Sequence, residues 1–234
     1  MFSFPSSGGS IWLLSQDAKS SFSMICVIAD RAGFVDLKIH LSPVHPKIND
    51  HMKTIIIYYS FTRNNQQLAQ EMQQRLNCDL YQIEESGRRF GISILLDLVF
   101  KRKPRIKSCP LALRLYDQCI FVGPVWAGEV ATPLKTFLEK EKAGINRYSF
   151  ISVCGGAAGQ KEKLANSLTT LVGKPPWVIE ELWVSDLLSE EKKNSAQFTS
   201  AYRISERDLE GFAPKIDAFL KSAMEPERSM VDAP

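Results

Sequence analysis

Histidine is nearly missing from this chain. The 234 residues include three, His40, His45 and His51, and none lies between Met52 and Pro234. A body that begins at Met52 therefore has no histidine base, no Ser-His-Asp triad and no histidine zinc ligand. Cysteine is scarce as well. There are five, Cys26, Cys78, Cys109, Cys119 and Cys154, with no CxxC pair among them. An odd count without paired spacing excludes a disulfide framework and a zinc ribbon, and points to a reduced, cytoplasmic protein. Excess charge of one sign is also lacking. The formal net charge is +3, which gives no general case for nucleic-acid binding. No apolar run reaches the ~18 residues of a membrane span. Residues 1–10 hold no basic residue, so no secretory signal is expected.

Several loops of known chemistry are absent too. GxxxxGK[ST], GxGxxG and GxSxG occur nowhere in the chain. That removes the triphosphate loop, the dinucleotide loop and the hydrolase nucleophile elbow. Cys154 opens a loop that invites comparison with CX5R phosphatases, but Gln160 stands where the arginine must be. A phosphorylatable receiver needs carboxylates at the ends of its first and third strands. Tyr59-Ser60 and Gly123-Pro124 occupy those places.

What is present divides at Met52. Residues 1–51 read as an N-terminal extension, poorly ordered, with four acidic and four basic residues that cancel. Within it, Phe34 to Leu41 suits one short strand, broken by Pro43-Val-His-Pro46. Residues 52–223 read as one compact domain, and 224–234 as a C-terminal tail.

In the body, Thr54 to Tyr59, Leu80 to Ile83, Cys119 to Val122, Phe150 to Val153 and Val178 to Val184 are strand-like runs. They do not alternate apolar with polar. Such runs are buried on both faces, as in a parallel sheet covered by helices. Helical stripes separate them. Leu68, Ala69, Met72 and Leu76 form one. Thr132-Pro133 suits an N-cap followed by proline, with Leu134, Phe137 and Leu138 facing inward and Gly144 ending the helix. Lys163 to Leu171 is a third helix. Ser205-x-x-Asp208 opens a fourth that buries Leu209, Phe212, Ile216, Phe219 and Leu220. The alternation predicts an α/β fold, a three-layer α-β-α sandwich around a five-stranded parallel sheet of order 2-1-3-4-5. Ligands of such folds bind beyond the carboxyl ends of the strands, at the switch point between strands one and three.

Three loops sit at those ends. Ser60-Phe-Thr62-Arg63-Asn64-Asn65 leads from the first strand into a helix. Its hydroxyls, amides and N-terminal N–H groups suit one phosphate monoester, or simply cap the helix. Gly123-Pro124-Val125-Trp126-Ala127-Gly128-Glu129 follows the third strand. Its tryptophan can stack on a planar ring or cover the end of the sheet. Cys154-Gly155-Gly156-Ala157-Ala158-Gly159-Gln160 follows the fourth. Small residues there admit a flat ligand edge to backbone N–H groups, or merely make a flexible turn.

Taken together, these loops, with Pro133 to Leu138 and the strand order, resemble the flavodoxin family and its small flavin oxidoreductases. The resemblance covers Met52 to about Lys221. It implies an FMN cofactor. Ser60, Thr62, Asn64 and Asn65 then correspond to phosphate ligands, and Arg63 to an outward or weaker contact. Trp126 corresponds to the ring-stacking residue, with Pro124, Val125, Ala127 and Gly128 beside it. Cys154, Gly155, Gly156, Ala157 and Gly159 belong to the loop at the pyrimidine edge. Many electron carriers of the family place a tyrosine in that last loop. None is present here, so one ring face is expected to be open to a donor or substrate. Many carriers are also strongly acidic, whereas this chain is slightly basic.

The implied activity is passage of electrons from NAD(P)H through FMN to a quinone or another small acceptor. Two other readings stand beside it: a one-electron carrier with a protein redox partner, and a non-catalytic interaction module. A homodimer is compatible with either. Lys101-Arg-Lys103-Pro-Arg105-Ile-Lys107 holds five basic residues in seven and follows a helical stretch, Gly91 to Phe100. It suits a grip on the 2′-phosphate of NADPH, an acidic partner, or a solvated helix end. Leu188 to Tyr202 reads as a polar surface loop bordering the site.

Overall fold

The computed structural model describes residues 11–16, 22–30, 33–37, 52–87, 103–126, 128–157 and 159–226. The expected helix at Gly91 to Phe100, residues Lys101 and Arg102, the break at Pro43 to Pro46, Ala127, Ala158 and the last eight residues lie outside them. The chain divides into two units, Met1–His51 and Met52–Pro234.

In the first unit, β1 (Ile11–Gln16), β2 (Phe22–Asp30) and β3 (Gly33–Leu37) pair antiparallel in that order. Leu13 lies opposite Ile25, and Ile28 opposite Val35. The sequence pattern predicts a strand from Phe34 to Leu41; the described strand is Gly33–Leu37.

The second unit carries β4 (Thr54–Tyr58), α1 (Asn64–Leu76), β5 (Asp79–Gln82) and β6 (Gln118–Val122). A short hairpin follows, β7 (Val125–Trp126) with β8 (Glu129–Val130), then α2 (Thr132–Glu141) and β9 (Arg147–Cys154). It closes with α3 (Gln160–Val172), β10 (Ile179–Trp183), α4 (Ala196–Ala201) and α5 (Glu206–Met224). The main sheet runs β5-β4-β6-β9-β10, with every pair parallel. Counted within this unit, that is the expected order 2-1-3-4-5.

The uninterrupted apolar strands are explained by burial on both faces. In β4, Ile55 and Ile57 enter one core while Ile56 and Tyr58 enter the other. In β6, Cys119 and Phe121 oppose Ile120 and Val122 in the same way. Leu134, Phe137 and Leu138 of α2 and Leu164 and Leu168 of α3 cover the first face. Leu68, Ala69 and Met72 of α1 and Leu209, Phe212 and Ile216 of α5 cover the second. Each fully buried Leu, Ile or Phe contributes about 1.5–3 kcal/mol of transfer free energy.

Helix ends agree with the sequence pattern in most places. Ser205 and Asp208 form a reciprocal capping box at α5. Gly173, at φ +86°, ends α3 with its N–H on Thr169 O at 2.8 Å. At α2 the cap is displaced. The helix begins at Thr132, with Ala131 as its cap and no side-chain capping bond. Thr132 Oγ1 is buried without a partner among the described residues.

Candidate functional site

The first loop joins β4 to α1. Its Ser60 Oγ is buried and has no hydrogen-bond partner among the described residues. Arg63 caps the helix at φ +70°, a left-handed conformation. The first-turn N–H groups of a helix have no intrahelical partner, and α1 has no acidic residue in that turn. An anion is favoured there by both the free donors and the helix dipole.

The expected ligands of this loop differ in what they have left to offer. Asn65 Nδ2 donates to Val153 O at 3.1 Å, and its Oδ1 accepts from Val153 N at 2.9 Å. Asn64 Nδ2 donates to Tyr202 O at 3.0 Å, and its Oδ1 accepts from Ile204 N at 3.3 Å. Both side chains are buried and hold neighbouring segments to the loop, which leaves their main-chain N–H groups for a ligand. The Ser60 and Thr62 hydroxyls have no such duty. Arg63 is exposed.

The second loop is the β7–β8 hairpin, with Trp126 opposite Glu129. Gly128 stands at φ +79°, and a Cβ there would lie 3.1 Å from Lys163 Cδ. Ala131 N donates to Pro124 O at 2.9 Å, closing the base of the loop. Trp126 is half-buried. It packs on the core beside Val125 and meets Tyr59 edge-on, centroids 6.2 Å apart and planes at 87°. The indole thus covers the end of the sheet with one side and stays partly exposed on the other.

The third loop follows β9. Cys154 is buried, and burial, with Glu181 adding to it, pushes its thiol up to about 12. A thiol so disfavoured as thiolate is no nucleophile at neutral pH. Gly156, at φ +88°, lies against the next strand end: a Cβ there would be 2.7 Å from Ser185 Oγ and 2.8 Å from Trp183 Cγ. A Cβ on Gly155 would be 3.2 Å from Thr199 Oγ1. Gly159 caps α3 at φ +73°, and Ala157 is exposed.

A cavity of about 750 Å³ opens between this loop and the residues after β10. Val125, Gly155, Gly156 and Ala157 form one side, and Trp183 at the end of β10, with Ser185, Asn194 and Thr199 beyond it, lines the other. The loop-one residues and Trp126 are not part of its lining. Trp183 and Ser185 escape the sequence reading, although Trp183 ends a strand just as Trp126 does. The expected surface loop at 188–202 includes the short helix α4 and supplies cavity wall.

The basic run is partly neutralised. Lys103 Nζ lies 2.6 Å from Glu139 Oε2, and Lys107 pairs with Glu84. Among the described residues there is no cluster of His, Cys, Asp and Glu fit to hold a metal. Nor is any helix long and apolar enough to cross a membrane. The chemistry on offer is an anion cradle at α1, a half-buried aromatic, and a glycine-lined cavity.

No protein-family model matches this sequence, and no curated protein does. Solved structures do. A protein described as a flavoprotein from Bacteroides uniformis is similar at 18% identity and TM-score 0.50, over 61% of this chain and 96% of that one. A flavoprotein from Lactobacillus acidophilus, solved in complex with FMN, is 20% identical at TM-score 0.49, over 56% and 93%. A WrbA-like flavodoxin from Agrobacterium tumefaciens is 16% identical at TM-score 0.45, over 74% and 97%. At such identities the likeness is one of fold, and the fold is flavodoxin-like.

Proposed function

We propose that this flavodoxin-like chain binds FMN and works as an NAD(P)H-dependent oxidoreductase on a quinone or another small acceptor. The observation that carries the reading is the buried, unpartnered Ser60 hydroxyl beside the acid-free first turn of α1. An orphaned polar group of this kind costs about 1–3 kcal/mol until something hydrogen-bonds to it. A phosphate monoester supplies the acceptor.

In this reading Ser60, Thr62 and the N–H groups of Asn64 and Asn65 hold the phosphate. Arg63 contributes charge from outside. Trp126, framed by Pro124, Val125, Ala127 and Gly128, provides the ring platform. Gly155, Gly156, Ala157 and Gly159 bring backbone donors to the ring edge, with Cys154 beneath them. The redox chemistry between NAD(P)H and the small acceptor would be supplied by FMN held on these residues. The protein positions, orients and shields. It needs no histidine for that work. The polar cavity beside loop three favours a small partner over a docked redox protein.

Titration of the purified protein with FMN and with riboflavin tests this. Quenching of flavin fluorescence by FMN, with riboflavin at least tenfold weaker, is expected, because riboflavin lacks the phosphate. S60A weakens FMN binding and leaves riboflavin unchanged. W126A weakens both. A protein that takes up neither flavin sinks the reading. NADPH oxidation that depends on added quinone establishes the enzyme, and its absence with FMN bound leaves the carrier.

A further inference from the structure

Glu181 is 5% exposed, in the last strand of the sheet. Its neighbour Glu180 pairs with Lys161 at 3.3 Å. Glu181 has no such cation: among the described residues, no ammonium or guanidinium lies within 4.0 Å of it. Its partners are neutral. Gln160 Nε2 donates to Glu181 Oε1 at 2.5 Å, and the Cys154 thiol donates to the same oxygen at 3.9 Å. Gln160 Nε2 also reaches Cys154 Sγ at 3.6 Å, and Gln160 N donates to Ala157 O at 3.2 Å. Cys154 and Gln160 are the two ends of loop three. One buried carboxylate thus ties both ends of the glycine loop together.

A small cavity of about 320 Å³ borders this carboxylate. Its two lysines, Lys161 and Lys215, pair with Glu180 and with Asp186 at 3.1 Å. A carboxylate taken out of water with only neutral donors is costly, and an apolar side chain is the cheaper occupant of a buried strand position. A charge in such surroundings is screened less than one in water and acts more strongly on neighbouring groups.

We propose that Glu181 is the positioning residue of loop three: through Gln160 and Cys154 it holds residues 155–159, and its charge biases the site toward the oxidised form of the ring bound there. The second half rests on the FMN reading; the first does not. Adding electrons to a ring beside a fixed negative charge is disfavoured, so removing that charge favours the reduced form.

Two variants of the 234-residue chain separate the roles, once thermal melting shows them folded. E181Q keeps an oxygen for Gln160 and removes the charge. Q160A keeps the charge and removes the tie. Amide hydrogen exchange without flavin, and the affinity ratio for reduced against oxidised FMN, are measured on both. In Q160A, exchange at 155–159 accelerates about tenfold while β4 is unchanged. In E181Q, exchange stays near wild type and the reduced-to-oxidised affinity ratio rises about tenfold, read as a higher reduction potential. Should E181Q not fold, E181M tests the charge with an apolar chain of similar length. Unchanged exchange in Q160A overturns the positioning role, and an unchanged affinity ratio in the uncharged variant overturns the electrostatic one. If wild type binds no FMN, the FMN reading fails and the electrostatic half falls with it, while exchange still decides the positioning half.

Discussion

Asn65 holds Val153 by both ends of one amide, Nδ2 to Val153 O at 3.1 Å and Oδ1 to Val153 N at 2.9 Å. The contact fastens the start of α1 to the end of β9, so the first and third loops cannot move independently.

Removing that amide leaves two main-chain groups of a buried residue without this partner. N65A is expected to destabilise the protein by about 2–4 kcal/mol, and N65D by at least as much, because a carboxylate oxygen then faces the Val153 carbonyl in a buried site. Urea denaturation measures both. A loss in N65A under about 0.5 kcal/mol contradicts the two-ended bond.

Arg63 holds a conformation better suited to glycine, at φ +70°. R63G should raise stability by about 0.5–1 kcal/mol, strain relief outweighing the entropy glycine gains on unfolding. R63A keeps the Cβ and should gain nothing. Parallel thermal melts of the two variants decide between strain and side-chain effects.

Gly156 and Gly159 both have positive φ but different surroundings. A Cβ on Gly159 meets nothing within 4 Å, whereas one on Gly156 strikes Trp183 and Ser185. G159A is therefore expected to cost about 1 kcal/mol and G156A at least about 2–3 kcal/mol. Equal losses in denaturant unfolding would mean that the Trp183 contact yields.

At the start of α5, burial acts to raise the Asp208 carboxyl, but hydrogen bonds from Ser205 N, Ser205 Oγ and Tyr202 OH hold it below its ordinary 3.8. A depressed carboxylate stabilises the fold above its unfolded value, and the benefit is lost as pH falls through the folded one. D208A is expected to cost about 1 kcal/mol at pH 7. The gap to wild type should begin to close near the ordinary value and narrow further below it. Stability measured from pH 7 to pH 2 gives the sign directly.

The strand order was legible because the inner strands of the main sheet are buried on two faces, which writes unbroken runs such as Thr54 to Tyr58, whereas the edge strand β5 is only partly buried. The capping box at Ser205 was equally plain, since its geometry is local. The start of α2 was not. Thr132-Pro133 satisfies a local rule, yet the chain leaving β8 enters the helix one residue sooner. In the site, loop positions follow from topology, but side-chain duties do not. Asn64 and Asn65 look like ligands in sequence because amides suit phosphate. Their partners, Tyr202, Ile204 and Val153, lie 88 to 140 residues away. Trp183 and Glu181 escaped for the same reason: both face a loop that belongs to the preceding strand.

The order of strands also sets how the chain must assemble. β4 lies between β5, close in sequence, and β6, far away. The Lys53 N–H donates to the Asp117 carboxylate across 64 residues, at the mouth of the β4–β6 pair. The unit β4-α1-β5 can form from near neighbours, but the centre of the sheet closes only after the far end of the β5–β6 connection is drawn in. Folding should accordingly be limited by this distant pairing. The three site loops, hung on β4, β6 and β9, come into register together only at that late step.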